Sequence, residues 1–142
     1  MRVSKDEFFI KMAQLVSERG TCPRRKVGAV FVNKRSHVIA TGYNGNAAGM
    51  PHCIDHPCPG AHLPSGTGLE VCEALHAEQN GLLQCKEVYD IDKIYVTASP
   101  CIQCTKLLLN TGCNEIIFLE EYPHLASKEL WERAGRKWTK LG

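Results

Sequence analysis

Two short segments carry side chains that could hold a metal ion and move a proton. His76 and Glu78 are two residues apart, and Pro100 precedes Cys101 and Cys104, which are three residues apart. Residues three apart lie on the same face of a helix, so both sulfurs could reach one ion. One imidazole and two thiolates leave the fourth position of a tetrahedral zinc site open for water, which is typical of catalytic zinc.

The positions of these residues within their helices decide whether they form one site. Ser99 and Pro100 suit an N-cap and a first helical residue, which would place both sulfurs at the helix end that favours thiolates. Residues two apart do not share a helix face, so His76 and Glu78 can flank one ion only where a helix begins. Glu78 would then lie beside the metal without binding it and could transfer protons. This combination is the pattern of zinc enzymes that remove an amino group from a nucleobase.

The alternative is a closed structural zinc site, or a helix whose cysteines only pack. A pair of cysteines three apart would by itself favour that alternative. The upstream histidine and glutamate, together with Pro100 before the first cysteine, favour the catalytic interpretation.

The segments around these motifs alternate between strands and helices, which predicts an α/β sandwich with a partly parallel sheet. Residues 44–67 are rich in Gly, Pro, Asn, Cys and His and have no sustained period, so we expect a long loop that is functional or pinned. A first helix is expected to begin at Ser4, and further helices are expected over 76–84, 101–111 and 126–133. Strands are expected over 27–32, 37–43, 93–98, 115–119 and 136–140, with a hairpin turn at 33–36.

Composition restricts the classes that the chain can belong to. A length of 142 residues predicts one domain, 1–142, and 44% apolar with 23% charged residues exclude whole-chain disorder, collagen and coiled coil. No apolar run is long enough to cross a membrane, and Lys5, Asp6 and Glu7 interrupt any signal-peptide core, so we expect a cytoplasmic protein without a membrane partner. A net charge of +2 is too small to indicate nucleic acid. Without a secretory signal, eight cysteines favour metal ligands over disulfides.

The sequence resembles the cytidine deaminase superfamily and, within it, the deoxycytidylate (dCMP) deaminases. The matching motifs are Val-Gly-Ala at 27–29, Gly-Tyr-Asn-Gly at 42–45, His-Cys at 52–53 with Asp55, His-Ala-Glu at 76–78 and Pro-Cys-Ile-Gln-Cys at 100–104. The resemblance implies an α/β/α sandwich with a five-stranded mixed sheet. It also implies a catalytic zinc on His76, Cys101 and Cys104, with Glu78 as the proton shuttle that helps convert dCMP to dUMP and ammonia.

Further expectations follow from the same resemblance. Asn44 matches an asparagine that contacts the nucleotide sugar, and Ala77 lies in the same substrate region. Such enzymes are commonly homo-oligomers, with a hexamer favoured, and many are activated by dCTP and inhibited by dTTP. A triphosphate effector would bring Mg²⁺ with it. The effector-binding residues are expected to be Tyr43, Gly45, Asn46 and Gly49.

The segment after the fourth strand departs from the family pattern. Many members carry Asp-Lys-Tyr there, whereas residues 120–124 are Glu-Glu-Tyr-Pro-His. Tyr122 is kept, but the lysine position is acidic, which puts phosphate contacts from this segment in doubt. Arg24, Arg25 or Lys26 could supply the cation instead, and a more basic pocket mouth could also admit dCTP. The alternative for this basic cluster is a solvated face.

Two other functions remain open. Bacterial tRNA adenosine deaminases share both catalytic motifs, but their segment from the asparagine to the histidine is much shorter than the one from Asn44 to His76. We therefore expect no nucleic-acid partner. The non-enzymatic alternative is a zinc-stabilised binding module, which the many Cys and His residues would suit.

The remaining cysteines raise the question of a second, structural zinc. A bound metal would offset the entropy of ordering the long loop. The expected ligands are Cys22, Cys53, Cys58 and Cys72, with His52 or His56 as substitutes, and the alternative is a set of buried free thiols. Cys85 and Cys113 lie on apolar stretches and are expected in the core. Trp131 and Trp138 are expected to pack within the chain, with an oligomer contact as the alternative.

Overall fold

The structure is a computed structural model that describes residues 2–22, 25–52, 74–123 and 125–142. The helices are α1 (Lys5–Ser17), α2 (Ala77–Gln84), α3 (Ile102–Leu109) and α4 (Leu125–Arg133). The strands are β1 (Gly28–Val32), β2 (Val38–Tyr43), β3 (Lys93–Ala98), β4 (Glu115–Glu120) and β5 (Lys137–Lys140). No helix in the described ranges is long and apolar enough to cross a bilayer.

The five strands form one mixed sheet in the order β2-β1-β3-β4-β5. β1 is antiparallel to both β2 and β3, whereas β3, β4 and β5 run parallel. The Asn33 side chain accepts hydrogen bonds from the backbone N–H groups of Arg35 and His37, both at 3.0 Å, and so forms the expected turn between β1 and β2. The predicted five-stranded mixed sheet is confirmed.

Helices cover both faces of this sheet, as expected for the sandwich. α1 packs on one face through Phe9, Ile10 and Ala13. α2, α3 and α4 cover the other face, and their buried side chains share one core with that side of the strands; the core includes Ala77, Leu108, Trp131, Phe31, Val96, Ile116 and Phe118. Cys113 is fully buried in this core, whereas Cys85 and Trp138 are only partly buried against it.

The strand ends place several loops along one edge of the sheet. Because β1 is antiparallel to β3, the segment that enters β1 lies beside the carboxyl end of β3. The carboxyl ends of β2 and β4 reach the same edge. Residues from the chain segments 25–27, 43–45, 99–101 and 120–122 therefore meet there, although they are far apart in sequence.

α2 lies unusually close to β2 at this edge. A Cβ atom added to Gly42 would come within 2.2 Å of the Ala77 carbonyl oxygen and 2.4 Å of the Gly81 backbone nitrogen. Only glycine allows this approach, which fixes the first turn of α2 against the sheet. That first turn carries two of the predicted site residues.

Candidate active site

His76 and Glu78 occupy the start of α2, as the spacing argument required. His76 is the N-cap residue, and its backbone N–H donates to the Gln79 side chain at 2.8 Å. This is the side chain-to-backbone bond of a capping box, and it holds the extended conformation of His76 before the helix begins. The Glu78 side chain is buried, with 4% of the residue exposed. Both side chains can therefore serve one site.

Cys101 and Cys104 lie at the start of α3, but the helix begins later than predicted. Cys101, not Ser99, is the N-cap residue, and α3 starts at Ile102. The reason is that the Ser99 N–H donates to the Glu120 carbonyl at 2.8 Å and keeps Ser99 extended beside β4. The Ser99 hydroxyl instead accepts from the Tyr122 N–H at 2.8 Å. Cys101 and Cys104 still both lie in the first turn of the helix.

The imidazole and the two sulfurs converge on one point. The Nδ1 atom of His76 lies 3.2 Å from the Cys104 Sγ atom and 3.5 Å from the Cys101 Sγ atom. All three potential ligand atoms lie within 4.8 Å of one another, and they are the only such group among the described residues. Nitrogen and sulfur ligands of a tetrahedral zinc site lie roughly 3.6 Å apart, given the usual Zn–N and Zn–S bond lengths. The donor set and its spacing therefore fit zinc.

The ionisable groups of this cluster shift one another's pKa values strongly. A hydrogen bond from Cys104 stabilises the thiolate of Cys101 and lowers the pKa of Cys101 to about 4. The same bond, together with burial, raises the pKa of Cys104, so one proton stays between the sulfurs. Burial raises the pKa of Glu78 to about 7, although His76 acts in the opposite direction. A cation would replace the shared proton, because thiolates are the form that binds metal.

A two-residue bridge connects the metal cluster to the end of β2. The Gly45 N–H donates to the Leu75 carbonyl at 3.1 Å, and the Leu75 N–H donates to the Gly45 carbonyl at 2.8 Å. The residue before Gly45 is Asn44, and the residue after Leu75 is His76. The bridge therefore brings the backbone of Asn44 close to that of His76, although a long segment separates the two in sequence.

The Asn44 side chain fixes the segment that enters β1. Its Oδ1 atom accepts from the Val27 N–H at 2.8 Å, and its Nδ2 atom donates to the Arg25 carbonyl at 2.6 Å. The residue is buried, with 9% exposed. The asparagine that the resemblance placed at the substrate thus also shapes the backbone of the basic segment.

Arg25, Lys26 and Tyr122 come together at the same edge. The Arg25 guanidinium lies over the Tyr122 ring, 4.6 Å from its centroid, and forms an ion pair with Glu120. Lys26 lines a pocket with Arg25 and Glu120. The sequence predicted the two cations and the tyrosine, but not the ion pair with Glu120. The acidic residues Glu120 and Glu121 at the end of β4 were the signal, but the partner of Glu120 lies 95 positions away.

Tyr43 is the last residue of β2, and residues 44–49 follow it. The Asn46 side chain donates to the Pro51 carbonyl at 2.6 Å, and Gly49 has a φ of +87°, which favours glycine. Tyr43 is partly exposed, and its carbonyl accepts from the Asn80 side chain at 2.8 Å. These contacts describe the predicted effector residues but do not identify a ligand.

The predicted second zinc site falls mostly outside the described residues. Cys53, Cys58, Cys72 and His56 lie there, as does Arg24 of the basic cluster. Cys22 is described and buried, with 5% exposed. The four-cysteine set stays a prediction.

Comparison with known proteins points to one family. Residues 3–120 match the family model described as the cytidine and deoxycytidylate deaminase zinc-binding region. ComE operon protein 2 of Bacillus subtilis (strain 168) is 38% identical over 138 residues, which cover 94% of this chain and 69% of the relative. The deoxycytidylate deaminase of Mycobacterium phage D29 is 38% identical over 123 residues, which cover 82% of this chain and 94% of the relative.

A longer relative and two solved structures agree with this match. The deoxycytidylate deaminase of Saccharomyces cerevisiae is 36% identical over 124 residues, but this chain spans only 39% of its length. The dCMP deaminase of cyanophage S-TIM5 in apo form has a TM-score of 0.76 and 28% identity, covering 99% of this chain and 100% of that chain. The same enzyme in complex with dCMP and dUMP has a TM-score of 0.75.

Proposed function

Since the chain belongs to the cytidine and deoxycytidylate deaminase family, we propose that it hydrolyses dCMP to dUMP and ammonia. One observation carries the proposal: the Nδ1 atom of His76 faces both sulfurs at 3.2 and 3.5 Å, with Glu78 buried two residues away. The relatives named deoxycytidylate deaminase and the neighbour solved with dCMP and dUMP support the choice of substrate.

His76, Cys101 and Cys104 would hold the zinc. A bound zinc acts as a Lewis acid and makes water nucleophilic near neutral pH. Glu78 takes a proton from the attacking water and gives one to N3 of cytosine, so that C4 accepts the new C–O bond. Glu78 then takes the proton of the new C4 hydroxyl and carries it to the amino nitrogen, the C4–N bond breaks as the C4 carbonyl forms, and ammonia leaves. The raised pKa of Glu78 supports this role, because a group with a pKa near 7 can hold and release a proton.

Asn44, Ala77, Arg25, Lys26 and Tyr122 would position the nucleotide. Asn44 lies beside His76 and still has one unused lone pair and one unused N–H for a sugar hydroxyl. Arg25 and Lys26 provide the positive charge that a phosphate requires. Arg25 is held over the Tyr122 ring, so its direction is fixed before substrate arrives.

Regulation is a separate part of the proposal. We propose that Tyr43, Gly45, Asn46 and Gly49 contact a dCTP or dTTP effector, with Mg²⁺ accompanying the triphosphate, and that the enzyme is a homo-oligomer. The position of these residues directly after β2 supports this, because a change there would reach Asn44 and, through the Gly45–Leu75 bridge, His76. A second, structural zinc on the four earlier cysteines belongs to the same proposal.

A substrate panel tests the proposed function. Zinc-loaded protein would be mixed with dCMP, dCTP, deoxycytidine or a tRNA anticodon stem-loop, with and without effectors, and ammonia would be measured. We expect dCMP to be the preferred substrate. A preference for the RNA would support the tRNA enzyme instead. Zinc binding without ammonia from any compound would support the non-enzymatic binding module.

A further inference from the structure

A polar pocket lies at the carboxyl ends of β3 and β4, on the side covered by α1. It encloses about 240 Å³. Arg25 and Lys26 contribute positive charge to its wall, and Glu120 is the acidic residue that lines it. The remaining lining residues are Gln14, Ser17, Thr97, Ala98 and Leu119. The pocket therefore combines two cations with one carboxylate.

The carboxylate of Glu120 is in contact with the Arg25 guanidinium, and the two form an ion pair. The Arg25 side chain is 26% exposed, whereas the Glu120 side chain is 70% exposed. Arg25 is also held by the Tyr122 ring and, at its backbone carbonyl, by Asn44. The arginine is thus fixed by several contacts, and the carboxylate is the more solvent-exposed partner.

A phosphate would compete with Glu120 for this guanidinium. Arginine binds phosphate through charge-assisted hydrogen bonds, and a phosphate dianion carries more charge and more acceptor oxygens than a carboxylate. Exposed ion pairs contribute less than about fivefold to an equilibrium constant. Glu120 can therefore turn into solvent at a small cost when a phosphate arrives.

We propose that Glu120 is a built-in competitor for the substrate phosphate. Its carboxylate pairs with the Arg25 guanidinium while the pocket is empty and releases the guanidinium when the phosphate binds. The carboxylate therefore weakens the binding of ligands that carry a phosphate and does not affect ligands that lack one. The identity of the ligand as a nucleoside monophosphate rests on the proposed function. Glu120 is accordingly a specificity-determining residue and not a catalytic one.

The test compares Glu120→Gln with Glu132→Gln, which removes an exposed carboxylate on α4 away from this pocket. Binding of dUMP, deoxyuridine and inorganic phosphate to zinc-loaded protein would be measured by calorimetry. We expect Glu120→Gln to bind dUMP and inorganic phosphate about twofold to fivefold more tightly and deoxyuridine unchanged. Glu132→Gln should match the unmodified protein for all three ligands.

Several outcomes would overturn the inference. An unchanged or weakened dUMP affinity in Glu120→Gln would show that the carboxylate does not compete, and equal tightening of deoxyuridine would show a general structural effect. The same substitution in an Arg25→Gln background should have a smaller effect, and an undiminished effect would also contradict the proposal.

Failure of the proposed function would look different. If dUMP did not bind and dCMP released no ammonia, that function would be wrong. Tighter binding of inorganic phosphate to Glu120→Gln would still support competition at Arg25.

Discussion

Glu78 is a carboxyl group that lies out of contact with bulk water, next to a cluster of metal-binding atoms. Its burial follows from its place as the second residue of a helix that presses against β2. A buried carboxyl group holds its proton more readily than an exposed one, because burial disfavours the charged form. Burial by the fold is therefore the largest cause of a Glu78 pKa of about 7, with smaller effects of opposite sign from His76 and Cys101.

Replacing Glu78 with glutamine should separate metal binding from turnover. The amide keeps the shape of the side chain but cannot transfer protons, so we expect about a 10²- to 10⁴-fold fall in kcat for dCMP. Zinc content, measured by elemental analysis, should stay unchanged, because Glu78 is not a proposed ligand. Glu132→Gln, which removes an exposed carboxyl group from α4, serves as the control. Full activity of Glu78→Gln would contradict the proposed mechanism.

The proposed zinc-binding residues and Glu78 could be predicted from sequence because the spacing within each of their two motifs is local. His76 with Glu78 and Cys101 with Cys104 each lie within one helical turn, and short-range rules describe such pairs well. The contact between Arg25 and Glu120 depends on how the strands align across the whole sheet. Glu120 pairs with Ala98 in that sheet, and no local pattern indicates this register.

The beginnings and ends of elements depend on contacts that the sequence does not display. α3 begins at Ile102 because Ser99 continues the ladder beside β4 instead of capping the helix. In α1, the apolar residues Phe8 and Leu15 are 50% and 66% exposed, whereas Phe9, Ile10 and Ala13 are buried against the sheet. The helix type followed from the pattern, whereas its orientation on the sheet depends on packing.

Asn44 joins two elements, so its loss should be visible in stability. Asn44→Ala leaves the buried Val27 N–H without its acceptor, and we expect the free energy of unfolding to fall by about 1–3 kcal/mol. Denaturant unfolding would measure this. Asn46→Ala is the matched control, because its amide donates to an exposed carbonyl, and it should lose less. Equal losses in the two variants would argue against a special positioning role for Asn44.

Among the described residues, the buried side chains form two cores, one on each face of the sheet. Phe9 of α1 packs with Val30 and Tyr95 on one face, and Leu108 of α3 packs with Phe31 and Val96 on the other. Cys113 belongs to the second core, and its sulfur donates to the Glu115 carbonyl at 3.4 Å. Burial raises the pKa of the Cys113 thiol to about 12. The ionisation of this thiol is therefore coupled to unfolding of the protein.

The free energy of unfolding should depend on pH through this thiol. The pKa of Cys113 is higher in the folded state than the roughly 8.5 of a free cysteine, so its contribution is complete below about pH 8.5. That contribution decreases as pH rises toward 12, because only the unfolded chain releases the proton. Denaturant unfolding between about pH 8 and 10.5 should therefore show that the free energy of unfolding decreases more steeply with pH in the unmodified protein than in Cys113→Ala. The other thiols are common to both proteins, so their contributions cancel in the comparison. Equal slopes of unfolding free energy against pH in the two proteins would contradict the prediction.

The bridge between Gly45 and Leu75 has a consequence for how this chain can vary. Two backbone hydrogen bonds close the intervening stretch at its base and hold the backbone before His76 against the end of β2. Doubling the length of a closed loop costs only about 0.6 kcal/mol in chain entropy. The length of chain between these two residues could therefore vary at little entropic cost to the closing of the bridge.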